Sequence, residues 1–477
     1  MNPPLRKLSA IVMVMFLTLM VAVTYIQFFK APDLNADARN VRTLYREYGT
    51  DRGPIIVAGN AITTSEPVDD PYKYQRTYVN GPDYAHVTGY FSTVYNSMTG
   101  LERAENGVLG GSDSSLVTQR LQELITGKQP QGGAIALTID PDAQAAAIKA
   151  LGNRKGAVVA IDPKTGAILA LVSTPSFDPN LLAAHDSATA TTAWTELNAD
   201  PAKPLYNRAI AGDLYAPGSS FKILTAAAML ENGLTADSLV EAPTELKLPG
   251  TSHIVHNPGE RACGDGSGNV PFRQAFLESC NTAFAIGGME LGDEKMMDMA
   301  EAFGFGQELS IPLKVTPSQF PKPANQAALA MDSFGQQDIR VTPLQMAMVA
   351  AAISNDGELM KPYLVAQTLT ADLEVISTTE PSSLGSPISS KTAKELEKMM
   401  ADVVNKGTGT YAALGNVQVV GKTGSAEIGV GVEPHAWFVG YETENRVAVA
   451  VFVENGGDGG QQTGPIAGKV IDAVVNK

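Results

Sequence analysis

Tyr215-Ala216-Pro217-Gly218-Ser219-Ser220-Phe221-Lys222 is the stretch on which the reading of this 477-residue chain turns. Pro-Gly closes an irregular segment, and the apolar run Phe221 to Leu230 that follows reads as a helix. Ser219 then stands at a helix amino terminus, where unpaired N–H groups and the macrodipole favour a developing anion. Lys222, three residues on, shares its face. A serine hydroxyl is a weak nucleophile until a base takes its proton, and a desolvated neutral lysine is such a base. The same residues also suit an ordinary serine cap followed by a solvated lysine. Ser-x-x-Lys spacing occurs once in the chain.

Upstream, Ala157 to Ile161 and Ala167 to Val172 flank the turn Asp162-Pro163-Lys164-Thr165-Gly166 and predict a β-hairpin. Before it, Asp140 caps and Pro141 opens an Ala-rich helix reaching Leu151, and Ala134 to Ile139 is a short apolar run. Downstream the periodicity predicts helices over Phe272 to Leu291, Thr342 to Ser354 and Ala393 to Asn405. Strands return at Val417 to Val420, Ala436 to Tyr441 and Val447 to Val453, ahead of a last helix, Ile466 to Val475. A hairpin, a helical middle and returning strands give an α+β class with the early and late strands in one sheet.

Two further motifs carry chemistry. In Glu278-Ser279-Cys280-Asn281, Ser279 offers a hydroxyl that relays a proton, and Asn281 an amide for substrate. A second Ser-x-Asn, Ser267-Gly268-Asn269, lies in a Gly-rich loop. Val419-Val420-Gly421-Lys422-Thr423-Gly424-Ser425 continues an apolar strand along a sheet edge. Lys422 supplies positive charge and Thr423 a hydroxyl for a carboxylate, while Gly424 lets another chain approach. The Ser425 N–H, with that of Ser219, can form an oxyanion hole, each donor worth roughly 10² to 10³ in rate. Lys164-Thr165-Gly166 repeats the triplet in a hairpin turn, where its lysine is simplest as a solvated charge. A phosphate-binding P-loop needs four residues between its first Gly and Gly-Lys-Thr; Gly415 to Thr423 has five, in a strand, so an ATPase is disfavoured.

Composition sets the compartment. Between Lys7 and Lys30 no residue is charged, and Leu8 to Phe29, at about 1.5 Å per residue, crosses a hydrocarbon core of roughly 30 Å. Arg6 and Lys7 precede it, which puts the amino terminus in the cytoplasm and the rest outside. A cleaved signal peptide would have a shorter apolar region and a small-x-small site, and Gln27-Phe28-Phe29-Lys30 is a poor one. From Ala31 to about Gly133 the chain is polar and rich in Gly, Tyr and Thr, which reads as an extended β-containing module. A net charge of −15 disfavours nucleic acid. Five histidines without ligand spacing and two cysteines leave little room for a metal site; His253 and His256 read as loop residues. Outside the membrane Cys263 and Cys280 can pair, or remain thiols with one buried.

In this order Ser-x-x-Lys, Ser-x-Asn and Lys-Thr-Gly are the three signatures of penicillin-binding proteins and serine β-lactamases. The chain resembles the class B penicillin-binding proteins, most closely the actinobacterial penicillin-binding protein A group. Arg52-Gly53-Pro54-Ile55-Ile56 is similar to the family's early strand, and Asp162 to Ala170 to its first hairpin. Asn207-Arg208-Ala209 precedes the nucleophile, Gly335-Gln336 with Thr342 to Ala347 matches the helical middle, and Ala436 to Tyr441 matches the strand after Lys-Thr-Gly.

The resemblance implies residues 1–7 as a cytoplasmic tail, 8–29 as anchor, 30–133 as a pedestal and 134–477 as a transpeptidase domain. It implies D,D-transpeptidation of peptidoglycan stem peptides ending in D-Ala-D-Ala, without a cofactor. Ser219 would be the nucleophile, Lys222 the base and Ser279 the proton relay. Asn281 would position the donor, Lys422 and Thr423 would hold its carboxylate, and Gly424 and Ser425 would complete the subsite. β-Lactams would acylate Ser219. Ser220 stands where the family often has Thr, and the Ser-x-Asn centre is Cys280; a bond to Cys263 would brace the cleft loop. The space ahead of the catalytic region disfavours an intrinsic glycosyltransferase, which implies a polytopic membrane partner for glycan polymerisation. A D,D-carboxypeptidase or β-lactamase, or a membrane-tethered β-lactam sensor or scaffold, are the rival readings.

Overall fold

The computed structural model describes residues 3–30, 48–444 and 447–476. The start of the expected cytoplasmic tail and residues 31–47 of the expected pedestal lie outside the described residues. Pro3–Thr24 is a helix that continues as a π-helical turn, Tyr25–Lys30. Over Pro3–Gln27 it is long and apolar enough to cross a membrane, and none of that span is buried against the rest of the molecule.

The central sheet has five antiparallel strands in the order Val419–Ala426, His435–Glu442, Ala448–Val453, Gly156–Ile161 and Ile168–Thr174. Early and late strands therefore share one sheet, the late strand Ala448–Val453 pairing with Gly156–Ile161 from Ala448↔Ile161 to Val453↔Gly156. Both faces are covered, which is why the inner strands Ala448–Val453 and Gly156–Ile161 are wholly apolar rather than alternating. Val158, Ala160, Val449 and Val451 point to one side, where Pro141–Leu151 and Gly459–Val475 pack. Val159, Ala450 and Trp437 point to the other, toward Lys222–Glu231, Pro343–Ser354 and Ser390–Lys406. Every residue of Pro343–Ser354 is buried, the signature of a helix that is apolar all round because it lies inside a core.

Capping fixes the helix starts. Asp140 accepts from the amides of Asp142 and Ala143, Thr342 from Gln345, and Asp458 from Gln461. The last of these starts the final helix at Gly459, seven residues before the expected Ile466, with Pro465 inside it.

A second sheet runs in the order Val375–Thr378, Val365–Leu369, Ala134–Leu137, Ile55–Val57 and Asn60–Ala61. Ala134–Leu137 pairs in parallel with Ile55–Val57 and antiparallel with Val365–Leu369, so the pedestal and the chain beyond the helical middle are stitched together. The amino-terminal module is more helical than its polar composition suggested, carrying Gly81–Thr88, Gly100–Ala104, Asn106–Leu109 and Val117–Thr126. These pieces are short and their apolar faces narrow, so the period-3.6 signal is weak.

At the module's centre Glu102 is fully buried between two guanidinium groups. Its Oε1 accepts from Arg76 Nε (2.6 Å) and its Oε2 from Arg52 Nε (3.0 Å). Arg52 Nη1 also donates to Asn106 Oδ1 at 2.6 Å. Burial alone would raise the Glu102 carboxyl, but the charges of Arg76 and Arg52 overcome it and hold the group below its ordinary value. Burial conversely lowers Arg52, against the pull of Glu102. Removing the shared carboxylate would leave two buried cations facing each other. Glu102→Ala is expected to destabilise the amino-terminal module by roughly 3–5 kcal/mol, measured as earlier thermal unfolding and protease cleavage within residues 48–133.

Candidate active site

Gly218–Phe221 forms a 3₁₀ turn that leads directly into the helix Lys222–Glu231. The expected helix thus begins one residue later, with Ser219 in the tighter turn before it. Residues three apart are eclipsed in a 3₁₀ turn, which puts Ser219 and Lys222 on one side. The turn is held from beneath: Ser220 Oγ donates to Pro217 O (2.7 Å), Gly218 N to Gly335 O (2.9 Å), and Trp437 Nε1 to Ala216 O (3.0 Å). Ser219 is half-buried, whereas Lys222 is completely inaccessible.

The helix expected over Phe272 to Leu291 is broken. Phe272–Leu277 and Asn281–Leu291 are separate, and Ser279 between them has φ +60°, a left-handed conformation uncommon for a residue with a Cβ. Two long-range links hold the break open. Cys280 is joined to Cys263 by a disulfide, with Cα atoms 6.0 Å apart, and Asn281 Nδ2 donates to His256 O at 2.8 Å. Glu278, which accepts from Gly264 N (2.8 Å), completes a cluster with the two sulfurs, but these are bonded to each other. His256 lies in a short strand, Ile254–His256, rather than a loop; its backbone, not its imidazole, reaches the site.

Lys422, Thr423, Gly424 and Ser425 lie on the edge strand Val419–Ala426, beside the serine turn. A Cβ on Gly424 would fall 2.8 Å from Pro217 O and 2.9 Å from Ser220 N, so only glycine lets the strand press against the turn. Gly335, at φ +82°, makes the matching contact from below: a Cβ there would overlap Gly218 O at 2.0 Å. Thr423 Oγ1 is 2.6 Å from Thr408 Oγ1, and Ser425 Oγ accepts from Gly459 N (3.1 Å) at the start of the last helix.

The three motifs converge on the hydroxyl of Ser279. Lys222 Nζ is 3.1 Å and Lys422 Nζ 2.9 Å from Ser279 Oγ. Lys222 Nζ also donates to Ser279 O (2.6 Å) and Asn281 Oδ1 (2.7 Å), and Lys422 Nζ to Thr423 O (3.1 Å). Phe284 and Phe334 wall Lys222, and Phe276 lies beside Lys422. Burial, then the charge of Lys422, lowers Lys222 well below the ordinary lysine range; burial brings Lys422 down to about 7. A neutral Lys222 has two N–H groups for the two carbonyl oxygens and one lone pair left for the Ser279 proton. Ser279 Oγ in turn accepts from the Lys422 ammonium. The protons of Lys222 and Ser279 then all have partners, and the Lys422 ammonium places two of its three N–H groups on Ser279 Oγ and Thr423 O.

The structure therefore brings Lys222, Ser279, Asn281 and Lys422 into direct contact and packs Gly424 and Ser425 on the Ser219 turn. It directs Lys222 Nζ at Ser279 and Asn281 rather than at Ser219; catalytic hydrogen bonds of this kind often tighten only when substrate arrives. Thr408 and the carbonyl of His256 were not singled out in the sequence, and Gly335 was read only as part of a family match, not as a backbone contact of the serine turn. Gly407-Thr408-Gly409 after a helix is a turn signal but says nothing of where Thr408 lies. Gly335-Gln336 sits not in a helix but in the loop after Gln326–Asp332. With its amide turned to satisfy both groups, Gln336 pairs with Glu427 N (3.1 Å) and O (3.3 Å).

Gly424→Ala tests the close approach of strand and turn. The added methyl meets backbone rather than a mobile side chain, so the strand must move away from Ser219. Covalent labelling of Ser219 by a fluorescent penicillin is expected to slow by about 10²-fold or more, the scale of one lost oxyanion donor, with the unfolding temperature little changed.

Comparison with known proteins agrees with this geometry. Residues 156–472 match the family model of the penicillin-binding protein transpeptidase domain, and residues 52–135 match that of the penicillin-binding protein A dimerisation domain. The chain is 42% identical over 493 residues to the peptidoglycan D,D-transpeptidase PbpA of Mycolicibacterium smegmatis, covering all of both proteins. It is likewise 42% identical to PbpA of Mycobacterium tuberculosis, covering all of this chain and 99% of that protein. The ceftriaxone acyl-enzyme of M. tuberculosis penicillin-binding protein A superposes with a TM-score of 0.87 at 41% identity, over 90% of this chain and 100% of the other. The imipenem acyl-enzyme of the same protein gives 0.86 over the same shares. With a serine turn, two buried lysines on one serine hydroxyl and a Lys-Thr-Gly edge strand in one site, and with relatives matched end to end, the chain belongs to the penicillin-binding protein transpeptidase family.

Proposed function

We infer that the protein cross-links peptidoglycan stem peptides by D,D-transpeptidation through an acyl-enzyme on Ser219, and that β-lactams acylate the same serine. The observation that carries this is the Ser279 hydroxyl, shared between two buried lysines beside the Ser219 turn. Ser219 Oγ attacks the carbonyl carbon of the penultimate D-Ala, and its proton passes to the neutral amine of Lys222. The N–H groups of Ser219 and Ser425 face the developing oxyanion. The C–N bond then breaks, and the leaving amine of the terminal D-Ala takes a proton through Ser279. An amine of a second stem peptide gives its proton to Lys222 and attacks the acyl carbon; the ester bond to Ser219 Oγ then breaks, and the proton on Lys222 returns to that oxygen to restore Ser219. Lys422 as ammonium and Thr423 hold the donor's terminal carboxylate, and Asn281 positions the donor.

The chain divides, in this reading, into a cytoplasmic tail (1–7), an anchor (8–29), a pedestal (30–133) and a transpeptidase domain (134–477). The apolar amino-terminal helix supports a single-pass anchor with the catalytic domain on the outer face of the cytoplasmic membrane, and the Cys263–Cys280 bond suits an oxidising compartment. Glycan chains would come from a polytopic membrane glycosyltransferase.

Ser219→Ala is expected to abolish covalent labelling by fluorescent penicillin. With a stem-peptide donor and an amine acceptor, wild-type enzyme is expected to give the cross-linked amide; free acid alone would instead indicate a carboxypeptidase. A second prediction concerns pH. Lys422 must be charged to hold a carboxylate and loses its proton as pH rises through about 7. Lys222 must be neutral and gains a proton only at lower pH, since its value lies well below the lysine range. The second-order rate constant for acylation is therefore expected to fall on the alkaline side of about pH 7. Lys422→Arg, whose guanidinium stays charged across this range, is expected to remove that alkaline fall. Stopped-flow acylation across pH checks both.

A further inference from the structure

The helix Val117–Thr126 is amphipathic in the reverse of the usual sense. Its inner face is polar. Glu123 is buried, and its Oε1 accepts from Gln119 Nε2 (2.8 Å) and Gln131 N (3.4 Å). Gln119 Nε2 also donates to Gln131 O (3.0 Å), and Gln119 Oε1 accepts from Ala371 N (3.0 Å). Its outer face consists of Val117, Leu121, Leu124 and Ile125, which are 60, 58, 80 and 77% exposed. Their spacing, i, i+4, i+7 and i+8, makes one continuous stripe. A helix bathed only in water would bury that stripe; here the hydrogen bonds of Gln119 and Glu123 hold it outward.

Extent, charge and chain path choose the occupant. Four side chains on a three-turn helix cover far less than the roughly 800 Å² per partner of a stable protein interface, but a small apolar face is what an interfacial helix inserts into lipid. The helix and the residues after it carry Arg120 and Lys128, and its one acid, Glu123, is turned inward, which suits anionic headgroups. The apolar amino-terminal helix ends at Lys30 and the folded module is described from Tyr48, a gap that an extended chain spans in at most about 60 Å. The chain enters the module beside this helix, because Asp51 bridges to Gln131 just past the helix end.

We propose that the Val117–Thr126 helix lies on the outer surface of the membrane that anchors the chain, with Val117, Leu121, Leu124 and Ile125 inserted at the boundary between headgroups and acyl chains. This rests on the anchor reading above. Because Gln119 is bonded to Ala371, beside the strand Val365–Leu369 of the shared sheet, the contact sets the tilt of the catalytic domain over the membrane.

The test uses the full chain reconstituted in phosphatidylcholine–phosphatidylglycerol vesicles whose acyl chains are brominated near the headgroup. In Leu124→Trp, and independently in Ile125→Trp, the added indole fluorescence is expected to be quenched two-fold or more. The parent signal from Trp194 and Trp437 should be unaffected. Adding Leu121→Glu should relieve the quenching while penicillin labelling stays unchanged, which shows that the fold is intact. Vesicle flotation without quenching in either tryptophan variant overturns the proposal and leaves the anchor standing. Failure to float overturns the anchor reading and the proposal with it. If quenching is absent and Leu121→Glu turns cross-linked dimers into monomers, the stripe belongs to a second copy of the chain, and the lipid assignment is overturned.

Discussion

Two lysine amines with no access to solvent meet at one serine hydroxyl, and the surrounding architecture exists to hold them there. Each comes from a different element: Lys222 from the first turn of a core helix, Lys422 from the sheet edge, Ser279 from a break between two helices. Keeping Lys422 protonated in this place costs about 5 kcal/mol relative to water, since burial takes its pKa from 10.5 to about 7. A second ammonium beside it would cost more, so Lys222 is the one left neutral. In the acyl-transfer reading proposed above, the general base is a consequence of packing: two buried lysines sharing one hydroxyl cannot both be charged at neutral pH. Coupling their proton to Ser279 lets a single hydroxyl serve removal of a proton in one step and its return in the next.

How much of this was legible in the sequence depended on how local each signal was. The hairpin around Asp162 to Gly166, the helix after Asp140-Pro141 and the helix after Thr342-Pro343 are fixed by neighbouring residues, and they form where the periodicity puts them. The run from Phe272 to Leu291 misled because Phe272, Ala275, Phe276, Ala283 and Phe284 all face the core, so the apolar rhythm continues across the break. What interrupts the helix is distant: Cys263 through the disulfide and His256 through its carbonyl. Thr408, and the contact that Gly335 makes, were invisible for the same reason, since their partners Thr423 and Gly218 are remote in the chain. The Ser-x-x-Lys spacing put Lys222 beside the nucleophile, yet nothing local could show that its amine would be occupied by Ser279 and Asn281.

The amino-terminal module illustrates a different limit. Its composition changes at Gly133–Ala134, and the strand that follows joins a sheet whose other strands come from both sides of that change. Ala134–Leu137 lies between Ile55–Val57 from the polar stretch and Val365–Leu369 from far downstream. Composition reports how a segment meets solvent and core, whereas sheet membership is decided by register between remote strands. Arg52 belongs to the same lesson. It reads as one residue of an early strand motif, but it is half of a buried cage around Glu102 that the later Arg76 completes.

The serine turn and the Lys-Thr-Gly strand are positioned against each other by backbone rather than by side-chain packing. Gly424 brings the lysine strand against Pro217 and Ser220, and Gly335 brings a loop against Gly218 from the other side, so the serine turn is clamped between two main chains with no side chain between them. Side chains relax by changing rotamer at a cost of about 0.5–1.5 kcal/mol, while two backbones in van der Waals contact can only move together. Ser219 is consequently located by the least compliant material available. Lys222 and Lys422 reach the site on longer stems, and their amines are placed by hydrogen bonds to Ser279, Asn281 and Thr423 rather than by backbone contact. Under the acyl-transfer reading, this division keeps the acyl carbon in place on Ser219 while protons are redistributed among the two buried amines and the Ser279 hydroxyl.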